Sequence, residues 1–337
     1  MKSIAKRRRL LCTWLTVALL LLGIYSLFVG NFRISLCEFF EYCRLKWSGL
    51  AYNRSIEAVL MNIRLVRIVA AMVIGAALAV SGVVYQTVFS NNMVSPDLLG
   101  VSSSAACGAA IAIILGMPKG VSFLSSFLFS VGAIVLTGLL SKLLRRKDSL
   151  LLAGIIVSGF ARSGLGLLKY LADSENGELE SIVYWELGSL AKVSWEDILT
   201  IVPFILVIIS LLFLARRRIG CLILGENARL LGIHTAIEKM VAISLASLLV
   251  SLVTAMCGVI SWVSLIIPIA TTELTRSGSI SDNLSVTALL GAVFLLLSDN
   301  IARAATTSEI PISIMTGAAG LIIFCVAVFS KTGRNSS

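Results

Sequence analysis

Residues Arg64–Gly116 read RLVRIVAAMVIGAALAVSGVVYQTVFSNNMVSPDLLGVSSSAACGAAIAIILG. Two charge-free apolar runs, Ile68–Ser90 and Leu98–Gly116, flank a short polar stretch whose one charge is Asp97. Each run has about the 20 residues that carry an α-helix across a bilayer. The rest of the chain repeats this habit. Of 337 residues 58% are hydrophobic and 26 more are glycine, while only 14% are charged. Soluble domains have about 45–50% apolar residues, glycine included, and about 25% charged ones. So few charges cannot cover so much apolar surface in water, which excludes a cytosolic enzyme, a secreted disulfide scaffold or a disordered chain. The reading is an all-α, polytopic membrane protein, with apolar stock for about ten transmembrane helices.

Working outward, Leu10–Val29 forms a first span behind a basic cap, Lys2–Arg9. No small-residue cleavage site follows it, which argues against a removed signal peptide. Val121–Leu140 and Ile198–Ala215 are further charge-free runs, and Leu150–Leu171 is apolar apart from Arg162 and Lys169. Val286–Ile301, which holds Asp299, and Ile312–Ser330 complete the C-terminal part. The uncharged stretch from Lys239 to Glu273 is long for one helix and short for two, with Cys257–Gly258 as a turn and Pro268 as a kink. Two spans there make ten in all, with both termini cytoplasmic; one span makes nine, with the C-terminus outside. The net charge of +10 is gathered in short loops, Lys2–Arg9, Lys142–Lys147 and Arg216–Arg218, as the positive-inside rule requires of cytoplasmic segments. That distribution does not point to nucleic acid. Five spans per half is an odd number, so two similar halves would be inverted in the membrane. The seven cysteines have no metal-binding spacing; Cys37 and Cys43 share a polar loop where a pair is conceivable only outside the cytoplasm.

Further blocks accompany Arg64–Gly116: Tyr184–Asp197 (YWELGSLAKVSWED), Gly225–Ile233 (GENARLLGI), Ala288–Arg303 (ALLGAVFLLLSDNIAR) and Glu309–Gly317 (EIPISIMTG). In this order and spacing they closely resemble the FecCD-type permease subunits of ABC importers for iron-siderophores, haem and vitamin B12. One block departs. The family's GFVGLIVPH-AR pattern corresponds here to SWVSLIIPIATTELTRSGSISDN at Ser261–Asn283; Pro268 is kept, the His position is Ile269, and the basic turn is missing. That departure leaves a homodimer and a pairing with a second, more typical permease equally open.

The resemblance implies a single transmembrane permease domain over 1–337 in the inner or plasma membrane. It implies three partners: a second permease, a cytoplasmic ATPase dimer and an extracytoplasmic substrate-binding protein. The cargo implied is a metal chelate, with iron-siderophore first and haem or vitamin B12 as alternatives. The loop 219–235 carries apolar positions at Leu224, Leu230, Leu231 and Ile233. The family match makes it a coupling segment for the ATPase, through Gly225, Glu226, Ala228, Arg229, Leu230, Leu231 and Gly232. Arg64, Arg67 and Arg303 lie near the outer face in the ten-span topology. The family match assigns them to docking the binding protein, where an arginine fork suits carboxylates; arginines that merely reach for the interface are the plain alternative. Asp299 and Arg303, four apart, share a helix face and are expected to pair.

Arg162 stands near the middle of its span. An unpaired arginine there costs roughly 2.5–3.5 kcal/mol on insertion scales, so it must meet either a carboxylate of another helix or a wet cavity. By the resemblance this helix borders the translocation path, which makes Gly159, Arg162 and Lys169 path residues and the cargo anionic. No catalytic residue, metal site or cofactor is expected. The chain lacks the GxxxxGK[ST] phosphate loop, so ATP hydrolysis falls to a separate subunit. An ion-coupled secondary transporter is the rival class; it needs intramembrane carboxylates, and Asp299 is nearly the only candidate.

Overall fold

The computed structural model describes residues 2–30, 32, 34–50, 53–144, 149–306 and 309–335, excluding the side chains of 2–4, 226, 229 and 326–335. Helices make up all regular structure among these residues: α1 (Lys2–Ser26), α2 (Leu36–Trp47), α3 (Arg54–Glu57), α4 (Val66–Phe89), α5 (Val101–Ile114), α6 (Lys119–Leu144), α7 (Ser149–Leu171), α8 (Glu178–Glu186), α9 (Trp195–Cys221), α10 (Thr235–Cys257), α11 (Val263–Thr275), α12 (Ile280–Ala305) and α13 (Ile312–Asn335). A π-helical segment, Ala58–Leu65, fuses α3 to α4. Among the described residues seven helices are long and apolar enough to cross a membrane, and three shorter apolar ones, at Val101–Ile114, Val263–Thr275 and Ile312–Cys325, bring the number to about the expected ten. The ambiguous stretch is two helices, α10 and α11. They part at Gly258, whose φ of +80° brings its Cα against the Trp185 carbonyl, where a Cβ would stand 2.1 Å from the oxygen.

The two halves repeat each other upside down. Helices of 24, 14, 26 and 23 residues (α4 to α7) are answered by helices of 23, 13, 26 and 24 (α10 to α13). The packing is answered too: α4 lies on α12 as α10 lies on α6, and α4 on α11 as α10 on α5. Likewise α5 meets α6 and α7 as α11 meets α12 and α13. With α9 as one more crossing between the sets, α10 starts from the side opposite to α4, which is the inversion expected from the odd number of spans.

α4 is the centre of the molecule, with 78% of its most apolar window buried. Small residues make this possible, because lipid tails give no hydrophobic drive and helices must instead pack by close approach. A Cβ on Gly75 would lie 2.3 Å from the Gly291 carbonyl oxygen of α12. At Gly82 a Cβ would lie 1.8 Å from the Ser264 carbonyl of α11. That carbonyl is the one Pro268 deprives of its helical N–H donor, and Gln86 of α4 donates to the next, Leu265, at 2.9 Å. α1, by contrast, lies at the rim with only 6% of its window buried.

Arg8 of α1 pairs with Asp282 at the start of α12 at 2.5 Å, and Gly220 of α9 abuts Ile280. The N-terminus and the α9–α10 loop therefore share one end of the bundle. At the far end, α2 and α3 cap the fold through Tyr42, Ile56 and Leu60, all buried. Cys37 and Cys43 are free, exposed and six apart on α2, so one helix holds them too far apart to bridge.

Candidate functional site

At the N-terminal end, α9 runs on to Cys221, three residues into the expected loop, and the loop proper forms a 3₁₀ segment at Leu222–Leu231. It is two short helical pieces. Gly225 divides them with φ 59° and ψ −128°, a conformation that glycine tolerates and L-residues pay for. Leu222 and Ala228 are buried and pin the segment to the bundle, while Ile223, Leu224, Leu230 and Leu231 point outward. Leu230 is 87% exposed. Gly232 ends the segment at φ +75°. The side chains of Glu226 and Arg229 lie outside the described part.

On α7, residues Leu152, Ile155, Ile156, Phe160, Leu167 and Tyr170 form a face left uncovered by the other described residues. Gly159, Arg162, Ser163 and Gly166 share its exposure, and a Cβ at Gly159 or Gly166 would meet nothing within 4 Å. The opposite side packs inward through Gly154, Ser158 and Leu165. The two basic residues of this helix part company. Lys169, expected from the sequence along the path, is paired with Glu186 of α8. Arg162 makes no ion pair or hydrogen bond among the described residues. Asp97, in the 3₁₀ turn Pro96–Leu99, lies within range of its charge but accepts its hydrogen bond from Ser102, at 2.5 Å.

At the far end the three arginines turn inward, each no more than 5% exposed. Arg67 binds Asp299 at 2.7 Å and Glu309 at 2.7 Å. Arg303 pairs with the other oxygen of Asp299 at 3.0 Å and donates to Ser26 Oγ and the Val29 carbonyl. Arg64 donates to the carbonyls of Leu27 and Phe32. The cluster thus ties α4, α12, the end of α1 and the α12–α13 link together. The Asp299–Arg303 pair expected from the sequence is present; the tie to Arg67 and Glu309 joins segments more than 200 positions apart, which no local pattern could reveal. Glu309 is the least buried member, its side chain 33% exposed, on a backbone at φ 46°. Beside the cluster, a cavity of about 930 Å³ opens among the ends of α5, α6, α8, α9 and α10, with Lys119, Tyr184, Trp185 and Asp197 at its walls.

Comparison with known proteins agrees with this arrangement. A model described as the FecCD transport family matches residues 18–330. The molybdate import system permease protein MolB of Haemophilus influenzae is 37% identical, over 94% of this chain and 94% of its own. A Helicobacter pylori protein described as a "probable iron chelatin transport system permease protein" is 31% identical over 95% of this chain and 98% of its own. Among solved structures, an inward-facing metal-chelate type ABC transporter superposes with a TM-score of 0.85 at 34% identity, over 95% of this chain and 98% of that one.

Proposed function

The chain belongs to the FecCD transport family, and from that premise we propose that it is the permease subunit of a binding-protein-dependent ABC importer in the inner or plasma membrane. Two permeases meet along the uncovered α7 face and enclose the path there, with Gly159, Arg162 and Lys169 along it. An ATPase dimer seats on the α9–α10 loop, which makes that end cytoplasmic. ATP hydrolysis belongs to those subunits. An extracytoplasmic binding protein delivers cargo at the far end, where Arg64, Arg67 and Arg303 receive its acidic groups, at Arg67 in competition with Glu309. The cargo is a metal chelate, with iron-siderophore first; the relative named for molybdate supports a metal oxyanion as the second reading.

One observation carries the reading. Leu230 and Leu231, 87% and 60% exposed, stand on a segment whose neighbours Leu222 and Ala228 are locked in the bundle. An apolar tip on a braced mount is what a groove on a separate motor subunit can push. The ion-coupled rival loses its carboxylate, since Asp299 is held between two arginines.

The test is Leu230→Asp with Leu231→Asp. Both side chains face outward, so the protein folds and inserts as before, while ATPase co-purification and ATP-driven uptake are lost. Normal uptake by the double variant would remove the coupling assignment.

A further inference from the structure

We propose that Arg162 is an anion-binding group of the translocation path, so that the cargo crosses the membrane as an anion whose negative charge is carried on oxygen. The inference rests on the reading of the α7 face as the path lining.

Arg162 stands 13 residues into the 23-residue helix α7, near mid-span. A bare guanidinium at that depth is costly, and such residues mark wet, functional surfaces when no partner neutralises them. The alternative predicted a carboxylate on another helix, and the structure assigns that arrangement to Lys169, through Glu186, and not to Arg162. Asp97 tempers the charge from nearby without touching it. Around Arg162 the surface is built of small groups: Gly159 three positions before it, Gly166 four after it, and Ser163 next to it, all exposed. The space over both glycines is open. A planar five-donor fork beside bare backbone and a hydroxyl suits a bulky anion with several oxygen atoms. A metal oxyanion and a chelate with free carboxylates or phenolates share this chemistry. Single-point attraction of this kind lets the cargo enter and leave, as passage requires.

A thiol placed at Ser163 reads the charge directly. In a background with the native cysteines replaced, the Ser163→Cys protein in membranes is treated with a negatively charged and a positively charged methanethiosulfonate, and the two rates are referred to those of a free thiol. A full charge at a helical neighbour's distance in a wet site changes such rates about tenfold. The negative reagent therefore reacts faster, and adding Arg162→Gln lowers the ratio about tenfold or more. Arg162→Lys retains it, which separates charge from folding. Replacing both Lys169 and Glu186 with Gln changes it less than twofold, because that pair carries no net charge. Reaction with both reagents and no preference leaves the path standing and overturns the anion site; this is also the outcome if the partner permease supplies a carboxylate. Reaction with neither shows a dry face and overturns the path and the anion site together. Sodium molybdate and ferric citrate, each at millimolar concentration, separate the two cargo types: the one that slows modification with Arg162 present, but not with Arg162→Gln, identifies the class, and slowing by neither overturns Arg162 as a cargo contact.

Discussion

Gly75 of α4 and Gly291 of α12 cross with their backbones in contact, each leaving no room for a Cβ on the other. With the still closer approach of Gly82 to Ser264, the crossing is why α4 can sit in the centre. Gly75→Ala forces the helices apart and costs roughly 1–3 kcal/mol of overpacking strain. Gly159→Ala, on open surface, costs nothing measurable. Thermal unfolding of the detergent-solubilised protein checks the pair, and equal midpoints would contradict the packing described.

Asp299 neutralises two buried arginines at once. Asp299→Ala leaves Arg303 without a carboxylate and Arg67 with Glu309 alone, a loss of roughly 3–5 kcal/mol, visible as a collapse in folded yield. Glu309→Gln removes a half-exposed partner and costs less than about 1 kcal/mol, so that variant is recovered at normal levels.

Recovery of Glu309→Gln permits a docking test. With the competitor gone, Arg67 is freer to meet an acidic partner, so the variant binds the cognate binding protein more tightly than wild type. Arg64→Glu binds it more weakly. Both differences grow as salt is lowered and the screening length increases. Titration of the immobilised permease at two ionic strengths measures them, and indifference to both variants would confine the cluster to structure.

Gly225 separates the two pieces of the α9–α10 loop in a conformation reserved for glycine. Gly225→Ala adds about 1–3 kcal/mol of local strain in a segment that bears little of the core. The unfolding midpoint therefore stays near wild type, while ATP hydrolysis is uncoupled from uptake. A lowered midpoint with coupling intact would show the reverse allocation.

Much of the architecture was legible because span length and charge placement are local properties. The turn at Gly258 and the i, i+4 pair of Asp299 and Arg303 belong to this class. α2 was legible in principle: Ser35 and Glu38 form a capping box, and the S-x-x-E spacing announces one, but it stands outside any apolar run. The short lengths of α5 and α11 were not legible, since no charged residue marks where each begins. Nor were the partners of Lys169 and Arg67. Both lie on other elements, and nothing in one helix indicates what another will bring to it.

α4 emerges from the ribosome long before the helices that enclose it. Arg67 is inserted 232 residues ahead of Asp299, so for most of synthesis the central helix stands in lipid with an unmatched charge at its boundary. A flexible arginine tolerates this wait by reaching toward the headgroups, and the small-residue seams at Gly75 and Gly82 stay open until α11 and α12 arrive. The enclosure of α4 is therefore completed only when α11 and α12 join α9 and α10 around it. A chain cut short before α12 keeps Arg67 bare of both its carboxylates, and so carries within the membrane a visible mark of being unfinished.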